Sequence, residues 1–310
     1  MLEPSELFPE IPNLYEYPSI HADMLFDQER VSRYEEAISA TVEEGDVVAD
    51  IGTGTGLLAF LCLKAGAKRV HAIERSTAIQ WAQLLADRNG YSDRITFHHA
   101  DSRSLPSLPE KVDVVVSELM GHMAFEEGMI ESLFHARDHF LRPGGTIVPR
   151  HAELRVALIS QHEVYRTYVD CWGTVAGIDY SPLREAAVAA CYVTTLNDRD
   201  LLSEPKQLFE VDFEKGCRPS LRGEMELMAC RSGTVHGIGL WFNADLAPGV
   251  RLSSDPWSRT HWQQCFAPIA RPFVVHTNQP VSILLEMKLR ETPDDNFSFS
   301  LEMTPQAAGA

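Results

Sequence analysis

The sequence predicts an α/β protein in which a parallel, helix-wrapped sheet is followed by an antiparallel β-barrel. Three observations carry that prediction. Residues 46–150 alternate short apolar runs with stretches of helical spacing, the rhythm of βαβ units. Three glycines stand between the first apolar run and the first helical stretch of that region, where a doubly wound sheet places its ligand loop. From about residue 151 the chain changes to short strand-like segments divided by Gly, Pro and Asp or Asn turns. Those are the marks of a barrel or sandwich.

Taken in order, residues 20–42 carry helical spacing and belong to an N-terminal segment, 1–45. In the α/β region, 46–150, the strand candidates are Val47–Ile51, Arg69–Ile73, Ile95–His98, Val112–Val116 and Thr146–Pro149. The helix candidates between them are Leu57–Ala65, Ala78–Asn89 and Met129–Phe140. In the β region, 151–310, Glu153–Ile159, Glu224–Ala229, Val235–Asn243 and Val281–Leu289 read as strands. The Ala-rich run Pro182–Ala190 is helical and interrupts them. The surrounding stretch, about 168–205, is either an interaction arm or a packed crossover.

Composition narrows the function. The chain has 310 residues, 45% apolar and 23% charged, as expected of a soluble globular protein with room for two domains. A formal charge of −17 argues against a nucleic-acid partner, which needs clustered Lys and Arg. It favours a basic partner or serves solubility. Six cysteines without C-x-x-C spacing indicate neither zinc nor a disulfide framework, but reduced, buried thiols in a cytoplasmic protein. His98-His99 has no third ligand at suitable spacing, so no metal is expected. The start, MLEPSELFPEIPN, is acidic and holds prolines, unlike a signal peptide. The longest apolar run, Leu57–Leu63, is too short to cross a membrane. No nucleophile-elbow or Walker motif is present.

The loop Gly52-Thr53-Gly54-Thr55-Gly56 follows Asp50-Ile51 at the end of the first strand. Glycine allows the tight turn and lets backbone amides approach a ligand. This G-x-G-x-G is one residue tighter than the dinucleotide fingerprint. Glu74 ends the next strand, where an acid can accept both hydroxyls of a ribose. Together with Asp50, the pattern points to S-adenosylmethionine and a Rossmann-like domain. Asp101, past the third strand, is a candidate adenine contact or a surface carboxylate. The fourth strand runs into Ser117-Glu118-Leu119-Met120-Gly121-His122-Met123-Ala124-Phe125-Glu126-Glu127. Two acids nine residues apart, at the carboxyl end of a parallel strand, suit a clamp for a cation.

Read together, these segments resemble the protein arginine methyltransferase family. The family's double-E hairpin begins Ser-Glu-Trp-Met-Gly and carries two glutamates at this spacing. Ala136-Arg137-Asp138, Leu141-Arg142-Pro143-Gly144-Gly145 and Pro149 are similar to the family's, Thr260-His261-Trp262 matches its THW loop, and 182–205 resembles its dimerisation arm. The resemblance covers nearly the whole chain. It implies an arginine N-methyltransferase whose Glu118 and Glu127 clamp the guanidinium. Asp27 and His261 form the pair that takes the released proton, and a homodimer assembles through the arm. Trp262, Met120, His122 and Glu126 would line the substrate site.

The family's N-terminal helix has a counterpart here. His21, Met24, Asp27, Arg30 and Tyr34 recur at intervals of three and four, along one helical stripe. The resemblance gives Arg30 the carboxylate of the cofactor's methionine part and puts His21, Met24 and Tyr34 beside the cofactor. Taken alone, Asp27 and Arg30 are equally a solvated i,i+3 pair. The chain departs from the family at Leu119, in place of Trp, at His122, in place of Tyr, and at Glu126. The aromatic N-terminal signature survives at Tyr15 only.

Two substrates fit a clamp of this kind, arginine within a protein and free L-arginine or a small guanidino metabolite. The sequence leans slightly to the second. There is no accessory domain, and His122 and Glu126 add polar groups able to meet an amino acid's own backbone charges. A scaffold that binds the cofactor without turnover is the remaining alternative.

Overall fold

Five strands and the helices between them form the first layer structure. The computed structural model of the chain describes residues 18–125, 127–216, 220–289 and 297–306. Strands β1 (Val47–Ile51), β2 (Arg69–Glu74), β3 (Ile95–His99), β4 (Val112–Ser117) and β5 (Leu141–Val148) pair in parallel, in the order β3-β2-β1-β4-β5. The reversal of direction between β1 and β4 is the switch point at which such sheets bind ligands. All five residues of β1 are buried, so Val47, Val48, Ala49 and Ile51 face apolar layers on both sides. Helices α3 (Leu57–Ala65), α4 (Ile79–Asn89) and α5 (Met129–His139) follow β1, β2 and β4. Gly66 and Gly90 end α3 and α4 in the left-handed conformation, with amides returning to the last carbonyls, a common helix stop.

The N-terminal segment departs from the single stripe expected. Among the described residues it folds as two helices, α1 (Pro18–Leu25) and α2 (Gln28–Thr41). Asp27 stands between them with extended backbone, and its side chain accepts the amide of Arg30 at 3.0 Å. An Asp three residues before that amide is a helix-start signal, and it outweighs the continuous periodicity. α2 then packs between α3 and the second domain.

After Pro149 the chain enters an antiparallel domain. β6 (His151–Ile159), β9 (Tyr192–Thr194), β10 (Lys206–Asp212), β12 (Gly233–Ala247), β13 (Val250–Ser253) and β14 (Gln264–Val275) form one sheet, with β13 paired to β12 off the main path. β11 (Arg222–Met228), β15 (Pro280–Leu289) and β16 (Phe297–Pro305) form another. β10 lies beside β11 and β14 beside β16, so the two sheets curl round one interior. Its buried side chains, Leu154, Val235, Phe242 and Ile283 among them, are continuous with those under β1 and β4.

Five of these strands, β9, β10, β13, β14 and β16, were not expected from the sequence. β14 holds Pro268 and Pro272, which argue against a strand. β14 itself is bulged there: Phe273 pairs with Val235 but Pro268 with Gly237, so Pro272 falls among the extra residues, and a Cβ on Gly237 would meet the carbonyl of Ala267 at 2.1 Å. In β10 only Phe209 and Val211 are buried, and the strand is bulged between Gln207 and Phe209. β16 alternates polar and apolar residues, a strand signal that was passed over.

Between β6 and β9 lie α6 (His162–Tyr168), a small hairpin of β7 (Thr174–Val175) and β8 (Ile178–Asp179), and α7 (Leu183–Val188). Ala176 and Gly177 turn the hairpin, both with positive φ, as a two-residue loop of this hand requires. Most side chains from 174 to 186 are exposed, which excludes the packed-crossover alternative. Cysteine burial also differs from expectation. Cys62 and Cys265 are buried thiols, whereas Cys171 and Cys230 are exposed. Among the described residues no helix is long and apolar enough to cross a membrane.

Candidate active site

The glycine loop closes the carboxyl end of β1. Gly52, Gly54 and Gly56 have φ of +74°, +51° and +90°, a region that side chains rarely adopt. Around a Cβ built on Gly54 only the His21 ring comes within 4 Å, at 3.5 Å. The loop's amide surface is therefore a cradle that a side chain would fill. Glu74 accepts the Gly54 amide at 3.0 Å and the Ser76 amide at 2.8 Å, one on each carboxylate oxygen. Each oxygen keeps a further lone pair.

Beneath the loop, Asp50 is fully buried. Its Oδ2 accepts from Thr53 Oγ1 (2.6 Å) and the Ala59 amide (3.0 Å), while Oδ1 is buried with no partner. Burial, the largest influence, pushes the Asp50 carboxyl up to about 7, against the pull of those two hydrogen bonds. An orphaned buried oxygen under a glycine cradle, with an acid at the end of the second strand, fits a nucleoside-bearing cofactor. Asp101 does not extend the cradle. It caps the short turn Ser102–Ser104 and grips Arg103 at 2.7 Å, which is the surface-carboxylate alternative.

The end of β4 meets α2. Arg30 is 7% exposed and donates to Glu118 Oε2 from Nε (2.8 Å) and from a terminal nitrogen (2.6 Å). Its other terminal nitrogen donates to the Met24 carbonyl at 3.0 Å. Burial pushes Arg30 down, but Glu118 outweighs it and raises the guanidinium's pKa overall. Oε1 of Glu118 accepts the Met120 amide at 2.9 Å. Tyr34 is completely buried, and its hydroxyl donates to the Ser117 carbonyl at 3.0 Å. Burial drives that phenol well above its ordinary pKa, helped by Glu118. Tyr34 is therefore an anchor between α2 and β4 rather than a cofactor contact.

Residues 120–125 form a loop held by its own apolar side chains. Met120, Met123, Ala124 and Phe125 are buried, and Ala124 has φ +71°, a conformation costing about 1 kcal/mol or more in a residue other than Gly. Glu118 and Glu127 bracket this plug, with Glu127 half-buried just before α5. Glu126 lies outside the described residues, as does Tyr15.

The THW loop locks onto both sides. Trp262 donates its indole N–H to the Met120 carbonyl at 2.7 Å, and His122 Nδ1 lies 2.6 Å from the Trp262 carbonyl. Trp262 is buried edge-on against Phe242. Trp262 and Met120 thus shape the substrate site from behind instead of lining it, and His122 is committed to the same interlock. One residue earlier, His261 donates its amide to Asp27 Oδ2 at 2.8 Å, with its Nδ1 2.9 Å from the same oxygen. Burial would raise the Asp27 carboxyl, but the His261 side chain and the Arg30 and His261 amides together hold it below the usual range. Asp27, His261, Phe26 and Pro256 border a cavity of about 630 Å³.

The structure therefore unites Asp27, Arg30, Tyr34, Glu118, Met120, His122, His261 and Trp262 through direct bonds, with His21, Gly54 and Glu74 at the adjoining loop. Sequence reasoning missed three participants. Gln264 is buried and pins the THW loop, donating to the carbonyls of Ser254 (2.9 Å) and Asp255 (3.1 Å). Thr53 secures Asp50. Phe26, 81% exposed, stands at the cavity mouth. A large apolar residue directly before a helix-capping Asp was the available signal for Phe26.

Fold and loop define the class, a methyltransferase that uses S-adenosylmethionine, and residues 48–145 match the model of a methyltransferase domain. Residues 150–306 match the arginine methyltransferase oligomerization subdomain. The chain is 34% identical over 279 residues to protein arginine N-methyltransferase 6 of Xenopus laevis, covering 84% of this chain and 81% of that one. It is 33% identical over 246 residues to probable protein arginine N-methyltransferase 6 of Arabidopsis thaliana, covering 75% of this chain and about half, 55%, of the relative. Among solved structures, the Trypanosoma brucei PRMT1 enzyme–prozyme heterotetrameric complex with AdoHcy superposes with a TM-score of 0.88 at 26% identity, covering 96% of both chains. This chain belongs to the protein arginine methyltransferase family.

Proposed function

We propose that the protein transfers a methyl group from S-adenosylmethionine to a guanidino nitrogen of arginine within a protein or peptide. The observation that carries this reading is the Arg30–Glu118 pair. The acid at the end of β4 already holds a guanidinium at 2.6–2.8 Å, beside the glycine cradle and away from bulk water. The lean toward free arginine has no support. The similar proteins are named for protein substrates, and His122, invoked for an amino acid's backbone charges, is bound to Trp262 instead.

When bound, S-adenosylmethionine supplies an electrophilic methyl on a sulfonium. Gly52, Gly54, Gly56, Glu74 and His21 would cradle it, and Arg30 retains two unused N–H donors toward its carboxylate. A guanidinium is a poor nucleophile because its charge is delocalised. Glu127, with the lone pair that Glu118 keeps on Oε1, would hold that group and draw positive charge to the clamped nitrogens. The third nitrogen is left richer in electrons and aimed at the methyl, so positioning supplies most of the acceleration. The Asp27–His261 pair borders the cavity and takes the proton that nitrogen loses.

The same reading includes a homodimer. Val175, Ile178, Tyr180 and Leu183 are exposed on the arm, and Trp81, Leu84 and Leu85 are exposed on one face of α4. Apolar surface of this kind marks an interface, and the arm of one copy would cover α4 of the other.

Incubation with labelled cofactor and either Gly/Arg-rich peptide or free arginine tests the substrate. Label is expected on peptide arginine. Label on the free amino acid alone overturns the reading.

A further inference from the structure

The loop carrying His261 has two faces, and the function above uses one. Asp255 accepts the amides of Trp257 (2.9 Å) and Ser258 (2.8 Å), which folds 255–258 into a tight turn. Pro256, Ser258 and His261 face the cavity beside Asp27. Trp257 faces the other way, into a second cavity of about 500 Å³ bordered by Asp198, Arg199, Glu204 and Arg231.

Trp257 is 57% exposed, unusual for a residue that is highly buried on average. Its indole N–H donates to the Asp198 carboxylate, which sets the ring's orientation and leaves ring surface open to solvent. Arg231 points into the protein, donating to the carbonyls of Leu201, Asp198 and Arg199. The bordering segments carry Asp198, Asp200, Glu204 and Asp255 against Arg199 and Arg231, on a chain of formal charge −17.

We propose that Trp257 and Asp198 form a second subsite for the substrate, which takes a Lys or Arg side chain near the arginine being methylated. An aromatic face attracts a cation through its quadrupole, and an adjoining carboxylate adds direct charge attraction. His261 lies four positions after Trp257, so their Cα atoms are at most about 14 Å apart. An extended peptide covers that in about four residues. The subsite therefore reads sequence on one side of the target arginine, within about four positions. It rests on the protein-substrate reading, since a free amino acid has no second side chain.

The test is a lysine scan. Gly-rich peptides with a single arginine carry one Lys, moved from four residues before it to four after, with an all-Gly reference. Lysine supplies the cation without a second guanidino acceptor. The wild type should favour Lys at one or two positions by about five- to tenfold in kcat/KM. Trp257→Ala and Asp198→Asn should bring that ratio close to one and keep the reference rate within about twofold. Trp257→Phe should retain part of it. A ratio between peptides does not depend on the fraction of folded enzyme. A flat wild-type scan overturns the subsite and leaves protein methylation standing, as does a preference that survives Trp257→Ala. A protein that binds cofactor but labels no peptide fails the functional reading, and the subsite falls with it.

Discussion

The catalytic face and the arm invert the usual distribution of polarity in opposite ways. Around Glu118, charged and hydroxyl groups are buried: Asp27, Arg30 and Tyr34 are each at most 7% exposed, and each is tied to a partner. On the arm, Val175 and Ile178 are each 58% exposed in elements too short to bury them. Buried charge is tolerated only when paired, and exposed apolar surface persists where something else covers it. The first region pairs its charges within one chain; the second is where the proposed homodimer would bring another copy. Substitutions should separate the two by what they change, stability and turnover in one case, assembly in the other.

The largest effect should come from the two glutamates. Glu118→Gln removes the partner of a buried guanidinium, and breaking such a pair costs about 3–5 kcal/mol. Thermal unfolding should show that loss together with loss of turnover. Glu127→Gln should leave cofactor affinity near wild type, while kcat falls at least about a hundredfold through misplacement of the substrate. Calorimetry of both variants, with labelled-peptide turnover, makes the comparison. Full turnover in Glu127→Gln would remove the clamp from the mechanism.

Much of this region was legible beforehand, for identifiable reasons. β1, α3 and the glycine loop follow from an apolar run, a helical run and glycines between them. The clamp acids stood out because their segment follows a buried strand. What could not be read was which groups bind each other. Trp262 and Met120 looked like lining residues because motif position says nothing about which way a side chain points. Arg30 carried one expected partner, whereas the fold brings Glu118, 88 residues away, to it. The break at Asp27 was missed because a periodic stripe continues through it. β14 was missed because its prolines flank a bulge in the strand itself, where pairing with Val235 and Gly237 skips residues 269–272.

Asp50 sharpens the contrast through pH. The native protein keeps its proton up to about pH 7, whereas the unfolded chain releases it near the ordinary carboxylate value of about 3.9. Between those values the native state binds more protons, so this group lowers stability as pH rises. Asp50→Asn abolishes the dependence and still offers an oxygen to Thr53 and Ala59. The cofactor-free variant should gain on the wild type by about 3 kcal/mol between pH 5 and pH 8, from about 1.4 kcal/mol per pH unit up to 7. Denaturant unfolding at the two pH values measures it, and a constant difference would place an ionised Asp50 in the folded protein.

The arm gives a smaller effect of another kind. Ile178→Asp places a charge where a second copy should dock, costing about 2 kcal/mol of association as for an interface hot spot. The dissociation constant should rise about thirtyfold by sedimentation, with the melting curve of the dilute monomer unchanged. An unaltered mass distribution would take Ile178 out of the interface.

Asp27 is the most specific test of the paired-group argument. One carboxylate performs two tasks on separate oxygens. Oδ1 caps α2 through the Arg30 amide, and Oδ2 anchors the THW loop through His261. Asp27→Ala loses both, and the missing cap alone costs about 1 kcal/mol. Asp27→Ser returns an oxygen to the cap but offers none to His261. Melting should therefore recover in Ser relative to Ala, while turnover on peptide stays depressed in both. Recovery of turnover together with stability would mean that the carboxylate acts only through the helix, and His261 would then lose its link to the proton leaving the substrate.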